Sequence, residues 1–296
     1  MTAGPVLVLG ASGRVGRLLR GAWPAADLPP ALFQSRSPGA GIGLTGPIGP
    51  GLLAALPGPP AAVLVLSGVT GGDEAALAEN TRLALAGLDL GAAAAAPVVL
   101  LCSTAAVYAP GSADRPFRET DGMLPPGAYG RAKRAMEAAA ADWAAAHPGG
   151  PAVLCLRLAN VAGADMLGEA VRRARPEAPL RLDRLPGGGA PRRSYLSPMT
   201  LARAVCAIAA APPRDGFGVV NLAEPGGETA MDALLAALAQ QGHPVPWSWR
   251  DAAPGALASH ALDLSRQADL WPGLATTGAG AAGLAADWLR AGGGCP

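Results

Sequence analysis

The chain has 296 residues, a formal charge of +1 and 50% apolar residues. This length is enough for one large domain or two smaller ones with a full core. The near-zero charge gives no reason to expect nucleic acid or an anionic membrane surface as a partner. The longest uncharged apolar run near the centre, residues 91–102, is too short to span a bilayer and is interrupted by Pro97.

The cysteines and histidines do not form a metal-binding pattern. The four cysteines are widely separated without a CxxC pair, and the three histidines are isolated. Three of the cysteines lie in apolar segments, which is typical of reduced core thiols in a cytoplasmic protein. We therefore expect no metal site and a cytoplasmic location. The residues concerned are Cys102, Cys155, Cys206, Cys295, His147, His243 and His260.

A glycine-rich turn follows the first predicted strand, residues 5–9. Its glycines have GxxGxxG spacing, and apolar residues at helical spacing come directly after them. Such a turn lets backbone N–H groups approach a pyrophosphate at the positive end of the helix dipole. The turn therefore predicts a dinucleotide site. The residues expected to contact the cofactor there are Gly10, Ser12, Gly13, Arg14, Val15 and Gly16.

The end of the second predicted strand, residues 31–34, bears on the choice of cofactor. An acidic residue at this place would hold a ribose hydroxyl of NAD, whereas an arginine would hold the 2′-phosphate of NADP. Here Ser35, Arg36 and Ser37 follow the strand. We therefore expect NADP in preference to NAD, with Arg36 at the phosphate and Arg14 as a second contact. The alternative is that Arg36 is simply a solvated surface residue.

Another buried strand, residues 62–66, leads into a loop of small residues, 67–72. Ser67 begins this loop and is expected to lie against the cofactor. The following segment, 73–90, is predicted to be helical. Asn80 within it is interpreted as a structural residue that bonds to a neighbouring loop.

The central stretch of the chain pairs a hydroxyl group with a tyrosine and a lysine. Thr104 comes at the end of an apolar strand-like run, and Tyr129 precedes Lys133 by four residues at the start of an Ala-rich helix. This spacing places the phenol and the ammonium on one helix face. Of the 23 basic residues 22 are Arg, and Lys133 is the single Lys. Because a guanidinium cannot tune its proton affinity, this position predicts a role specific to an ammonium, although a surface helix pair is the alternative.

Alternating strands and helices predict an α/β fold with a doubly wound parallel Rossmann sheet and a smaller, mixed C-terminal substrate-binding subdomain. We expect residues 1–163 to form the dinucleotide-binding domain, with a late strand near 219–222 returning to it, and residues 164–296 to form mostly the substrate-binding subdomain. The other predicted strands are 42–44, 153–158 and 180–185, and the other predicted helices are 52–56, 168–175, 198–210, 229–241 and 281–291. Apart from that final helix, the chain from Trp247 onward is predicted to be rich in loops.

Taken together, these motifs resemble the extended short-chain dehydrogenase/reductase family, also called the NAD-dependent epimerase/dehydratase family, over nearly the whole chain. Residues 10–16 look like its cofactor turn, 103–108 like its active-site strand end, and 129–133 like its YxxxK motif. Residues 157–163 and 192–197 look like its substrate-side stretches. The resemblance implies an oxidoreductase acting on a sugar or nucleotide-sugar-like substrate, as a reductase or an epimerase.

The resemblance also implies roles for single residues. Thr104 takes the place of the active-site hydroxyl, Tyr129 is the acid/base, and Lys133 binds the nicotinamide ribose and lowers the phenol pKa. Asn160 and Arg193 match substrate-binding positions. A homodimer through the two long helices is a further expectation.

Departures from the family pattern limit which reactions and substrates the resemblance implies. Ala105 and Ala106 argue against a 4,6-dehydratase, which carries acidic residues there. Ala162 and the segment 198–200 also depart from the pattern on the substrate side. The rival hypothesis is a regulatory protein of the same fold that senses NADP without turnover, and the complete set of Thr104, Tyr129 and Lys133 counts against it.

Overall fold

A computed structural model describes residues 4–110, 115–214 and 216–292. Cys295 lies outside these residues. In chain order the strands are β1 (Val6–Leu9), β2 (Ala31–Ser35), β3 (Leu44–Thr45), β4 (Ala62–Val65), β5 (Val98–Thr104), β6 (Ala152–Leu158), β7 (Asn160–Val161), β8 (Leu180–Arg184), β9 (Arg192–Arg193), β10 (Tyr195–Leu196), β11 (Phe217–Leu222), β12 (Thr229–Ala230), β13 (Trp247–Asp251) and β14 (Ser259–His260). The helices are α1 (Arg14–Ala25), α2 (Pro50–Ala54), α3 (Glu74–Ala93), α4 (Ala128–Ala146), α5 (Met166–Arg173), α6 (Pro198–Ala210), α7 (Met231–Gln240), α8 (Ser265–Leu270) and α9 (Ala281–Arg290).

Seven parallel strands form the central sheet, in the order β11-β6-β5-β4-β1-β2-β3. Every residue of β1, β4 and β6 is buried, which explains why these strands are almost entirely apolar in sequence. The order reverses direction between β1 and β4, so a cleft opens at the carboxyl ends of these strands. The predicted α/β class with a parallel Rossmann sheet is confirmed.

Helices cover both faces of this sheet. The α3 and α4 helices pack together on one face, and α1 and α6 pack together on the other. Asp73 caps α3 by accepting a hydrogen bond from the Ala76 N–H, and Ser197 caps α6 through the N–H groups of Met199 and Thr200. Two buried apolar clusters fill the space on the two faces.

The C-terminal part of the chain adds three small sheets, β10-β7, β12-β9-β14 and β13-β8. Strand β11 is the exception, because it pairs with β6 along its whole length in the central sheet. The predicted helix bounds lie within about three residues of those observed, and the bounds of α6 agree with the prediction.

The expectation of loops after Trp247 is wrong in part. Strand β13 pairs in parallel with β8 from Trp247↔Leu180 to Asp251↔Arg184, and β14 and α8 follow it. The strand is short and half-exposed, so its sequence lacks a continuous apolar run. Its pairing partner lies more than 60 residues earlier, and local patterning does not report such a distant pairing.

Candidate active site

Two glycines of the glycine turn have no room for a side chain between their backbone and its neighbours. Gly10 has φ +83°, and a Cβ there would lie 2.6 Å from the Ser67 backbone nitrogen and hydroxyl. A Cβ at Gly16 would lie 2.6 Å from the Ala11 Cα. Gly13 is the N-cap residue directly before α1, and within the described residues no side chain caps that helix end. The exposed N–H groups at the start of α1 therefore fit a pyrophosphate.

Gln34, the penultimate residue of β2, contacts the glycine turn, and the sequence analysis did not predict this contact. Its Oε1 accepts a hydrogen bond from the Gly10 N–H at 3.0 Å, and its Nε2 donates to the Gly46 carbonyl at 2.5 Å. The side chain is buried at the place where an acidic residue would bind ribose in an NAD protein. An amide at the end of an otherwise apolar strand was the signal that could have identified it.

The two arginines expected at the cofactor phosphates differ in their surroundings. Arg36 is exposed just beyond the end of β2. Arg14 instead spans the cleft, because its guanidinium lies 2.6 Å from a Glu169 carboxylate oxygen on α5 and donates to the Thr70 hydroxyl at 3.2 Å. A phosphate contact by Arg14 stays a prediction, and the phosphate would compete with Glu169.

Thr104 and Tyr129 meet where β5 ends and α4 begins. Thr104 is the last residue of β5, and its hydroxyl accepts a hydrogen bond from the Ala106 N–H at 3.2 Å. Tyr129 lies in the first turn of α4, whose next residue is Gly130. A Cβ at Gly130 would lie 2.2 Å from the Ala106 carbonyl oxygen. The absence of a side chain at Gly130 thus lets the start of α4 approach the turn that directly follows Thr104.

Lys133 lies one helical turn after Tyr129 and points into the protein. Its side chain is buried, its Nζ donates to the Cys102 carbonyl at 2.8 Å, and Nζ lies 6.0 Å from the centre of the Tyr129 ring. A Cβ at Gly68 would lie 3.4 Å from this Nζ, so the loop after β4 borders it closely. Burial lowers the pKa of Lys133, and interactions with Cys102, Cys155 and Glu137 oppose that change. The alternative of a surface helix pair is wrong.

The phenol of Tyr129 is harder to ionise in the chain alone than the sequence analysis expected. Burial raises its pKa above the ordinary value, and the neighbouring Cys102 raises it further. The positive charge of Arg14 and a hydrogen bond with Thr104 lower it by less. The lowering that was expected from Lys133 does not outweigh the effect of burial, and the Lys133 ammonium donates to the Cys102 carbonyl.

The two residues predicted to bind substrate occupy the small sheets. Asn160 begins β7 and donates from Nδ2 to Asp165 Oδ2 at 3.2 Å. Arg193 is half-buried in β9, and its guanidinium donates to the Leu257 carbonyl at 2.9 Å and the Arg192 carbonyl at 2.7 Å. Their contact with a substrate stays a prediction.

The structure confirms the interpretation of Asn80 as a structural residue. Its Nδ2 donates to the Val69 carbonyl at 2.9 Å, and its Oδ1 accepts from the Val69 N–H at 3.2 Å. These bonds hold the loop after β4 against α3. Across the described ranges, no group of three or more His, Cys, Asp or Glu side chains could hold a metal ion. Nor does that part of the chain contain a helix long and apolar enough to cross a membrane.

Comparison with known proteins decides the family. The model of the NAD-dependent epimerase/dehydratase family matches residues 42–223, which include Thr104, Tyr129 and Lys133 and begin after the glycine turn. The chain belongs to the NAD-dependent epimerase/dehydratase family. The predictions of this family and of an NAD-linked enzyme of its oxidoreductase and epimerase class are therefore confirmed. No curated protein sequence is similar enough to this chain to count as a match.

Solved structures of the epimerase/dehydratase type share the fold at low sequence identity. A UDP-glucose 4-epimerase from Brucella ovis in complex with NAD has a TM-score of 0.75 at 21% identity, covering 96% of this chain and 97% of its own. A UDP-glucose 4-epimerase from Bifidobacterium longum with NAD+ and UDP has a TM-score of 0.74 at 19% identity, covering 97% of both chains. MoeE5 with UDP-glucuronic acid and NAD has a TM-score of 0.72 at 22% identity, covering 97% of this chain and 99% of its own.

Proposed function

We propose that this protein transfers hydride between a nicotinamide dinucleotide and a carbonyl or secondary alcohol on the sugar of a nucleotide sugar. The observation that carries the proposal is the meeting of Thr104, Tyr129 and Lys133 beside the glycine turn at the carboxyl edge of the sheet. The solved structures of similar fold support the substrate class, because several of them hold UDP-sugars together with NAD.

Each of the three side chains has a distinct task in this proposal. The Tyr129 phenolate would take the proton of the substrate hydroxyl when hydride leaves the adjoining carbon, and the phenol would return a proton when hydride is added back to that carbon. The Thr104 hydroxyl orients the same substrate oxygen. Lys133 would bond to the nicotinamide ribose and bring positive charge to the phenol. The bound dinucleotide supplies the hydride-transfer chemistry itself.

A substrate screen tests the function and separates its two forms. A reductase consumes reduced cofactor stoichiometrically, whereas an epimerase retains its cofactor and returns hydride to the other face of the carbonyl. We expect one of a panel of UDP-sugars and keto-sugars to be reduced or epimerised, as measured by cofactor absorbance and proton NMR of the products. Absence of both reactions across the panel, with cofactor bound, would contradict the proposed substrate class.

The two halves of the chain divide this work in our proposal. Residues 1–163, with β11 added to their sheet, hold the cofactor, and most of residues 164–296 hold the substrate. Asn160 and Arg193 lie on the substrate side and would contact its sugar or diphosphate. We also propose a cytoplasmic location, because Cys102, Cys155 and Cys206 are free thiols in the described residues.

We further propose that the cofactor is NADP in preference to NAD. The end of β2 carries the neutral Gln34 and Ser35, and the exposed guanidinium of Arg36 follows directly. A 2′-phosphate would meet a positive charge and two hydroxyl groups at this place, and no carboxylate in this segment.

Replacement of Arg36 tests this preference. We expect Arg36→Ala to weaken NADPH binding about tenfold, the loss expected for one exposed charge-assisted hydrogen bond, and to leave NADH binding unchanged. Fluorescence titration of both reduced cofactors measures the effect. Equal affinities of the unmodified protein for the two cofactors, or equal losses in the variant, would contradict the proposed preference for NADP.

A homodimer through α3 and α4 is the quaternary structure we propose. An apolar groove of about 580 Å³ lies between these two long helices. Charged side chains border the groove, so a second copy could cover its apolar floor and pair charges at the rim. The lining residues are Glu74, Leu77, Ala78, Thr81, Arg82, Leu85, Ala128, Arg131, Ala132 and Ala135.

A charge placed in this groove is expected to separate the dimer. Ala135 is exposed and lines the groove, whereas Ala93 is exposed at the end of α3 outside the groove lining. We expect Ala135→Glu to shift the mass in light scattering from dimer to monomer, and Ala93→Glu to leave it unchanged. A monomeric unmodified protein, or dimerisation in both variants, would contradict this arrangement.

A further inference from the structure

A row of buried polar side chains crosses the central sheet close to the ends of its strands. Ser103 of β5 is the register partner of Arg157 of β6, and Arg157 is the register partner of Asn221 of β11. All three are buried. Polar groups in such a position cost free energy unless they are fully bonded, so their arrangement needs an explanation.

The row is completed by a carboxylate from the helix that carries the catalytic pair. Glu137 of α4 is 3% exposed, accepts a hydrogen bond from the Ser103 hydroxyl at 2.5 Å, and pairs with Arg157 at 2.8 Å. The Arg157 Nε lies 3.1 Å from the same Glu137 oxygen that Ser103 contacts. Each oxygen of this buried carboxylate therefore has a donor.

Glu137 shares its helix face with the proposed catalytic residues. Tyr129, Lys133 and Glu137 follow one another at intervals of four residues, so each lies about 6 Å further along the same face of α4. At the other end of the hydrogen bond, Ser103 directly precedes Thr104 on β5. The bond between Ser103 and Glu137 thus connects the strand of the orienting hydroxyl to the helix of the phenol and ammonium.

The far side of the row is bonded independently of α4. The Tyr108 hydroxyl donates to Asn221 Oδ1 at 2.6 Å and accepts from the Arg157 guanidinium at 3.0 Å. Arg157 also donates to the Glu119 carbonyl at 3.2 Å. The guanidinium is therefore fixed from this side, and it presents a fixed charge to Glu137.

From this geometry we propose that Ser103 and Glu137 are positioning residues for catalysis. Their hydrogen bond, backed by the fixed guanidinium of Arg157, sets the rotation and height of α4 on β5. This hydrogen bond thereby holds the phenol of Tyr129 and the ammonium of Lys133 in their catalytically competent positions beside Thr104. A buried ion pair contributes little net stability compared with apolar packing, whereas its directional bonds restrict the structure to one arrangement. The relative placement of these catalytic side chains is critical, because a misplacement of about 1 Å can lower the rate about a hundredfold.

The inference rests on the proposed function for its kinetic test, and Ser103→Ala is the decisive variant. Removal of Glu137 itself would leave Arg157 as an unpaired buried charge and endanger folding. Ser103→Ala avoids this problem, because Glu137 keeps its three hydrogen bonds with Arg157. Thr200→Val is the matched control: it also removes one buried hydroxyl, on α6 at the opposite face of the sheet, and the Thr277 N–H that donates to this hydroxyl keeps its bond to Glu224.

We expect the two variants to lose similar amounts of thermal stability but to differ in catalysis. In Ser103→Ala, kcat falls about tenfold or more with little change in the cofactor Kd, and Ser103→Thr restores most of the rate. In Thr200→Val, kcat stays within about twofold of the unmodified protein, because its lost bond joins α6 to Thr277 and does not touch α4 or β5. Equal kcat in Ser103→Ala and the unmodified protein, or equal losses in Ser103→Ala and Thr200→Val, would overturn the proposal.

A second readout works without any substrate. Since Lys133 is the single lysine of the chain, ¹⁵N-lysine labelling gives one side-chain signal from the buried ammonium. We expect Ser103→Ala to shift or broaden this signal in the cofactor-bound protein and Thr200→Val to leave it in place. An unchanged signal in Ser103→Ala would refute the positioning role even if no substrate were found. A shifted signal together with no turnover in the unmodified protein would leave this role standing and reject the proposed function alone.

Discussion

Tyr129→Phe is expected to lower kcat about a thousandfold or more while leaving the fold and the cofactor affinity intact. The substitution removes only the phenolic oxygen, and with it the group that exchanges a proton with the substrate oxygen. Loss of general acid–base catalysis typically costs between about a hundredfold and ten-thousandfold. Steady-state kinetics, circular dichroism and cofactor titration measure the three quantities.

Residual activity and pH dependence sharpen this prediction. Because burial raises the pKa of Tyr129 and only its ionised form accepts a proton, the rate of alcohol oxidation should rise with pH in the unmodified protein. The phenylalanine variant should lose this dependence. As a control, Tyr195→Phe removes another buried phenol, on β10, and should retain the pH-dependent rise. A Tyr129→Phe variant with nearly normal kcat would reject the assignment of this phenol.

Lys133→Met is expected to lower kcat about a hundredfold and to weaken cofactor binding. Methionine keeps much of the apolar stem of the lysine but lacks the ammonium that donates to the Cys102 carbonyl and, in our proposal, to the nicotinamide ribose. The rate should fall because no cation remains on this face of α4 to favour the phenolate of Tyr129. Steady-state kinetics and cofactor titration measure both effects.

Lys133→Arg tests whether the charge alone is sufficient. The lysine is 4% exposed and lies close to Gly68, so a larger planar guanidinium does not fit the same space. We expect Lys133→Arg to recover little of the lost rate. Full activity in the arginine variant would show that any positive charge serves at this position and would remove the argument from the single lysine.

The fold was predictable from sequence wherever the determining contacts are local. Continuous apolar runs such as residues 6–9 and 62–65 identified strands buried on both faces, and the prolines and glycines identified their ends. The parallel pairing of β8 with β13 was missed, because two half-exposed strands far apart in the chain carry no mutual signal. Most strands of the central sheet have such continuous apolar runs and could therefore be predicted.

The candidate active site followed the same rule. The positions of Thr104, Tyr129 and Lys133 could be predicted because a strand end and the helical repeat fix them locally. The contact of Glu137 with Ser103 joins residues 34 apart, and neither residue type alone indicates it. The pKa of Tyr129 was also beyond the sequence, because burial of the ring depends on the packing of α4 against the turn after β5.

Single-turnover hydride transfer tests the central claim most directly. The protein loaded with oxidised cofactor is mixed rapidly with the nucleotide sugar found in the screen, and the near-ultraviolet absorbance of reduced nicotinamide is followed in the unmodified protein and in Tyr129→Phe. Our account predicts a fast rise in the unmodified protein and a rise about a thousandfold slower in the variant. Equal rates in the two proteins would show that the phenol of Tyr129 is not the acid/base of this site.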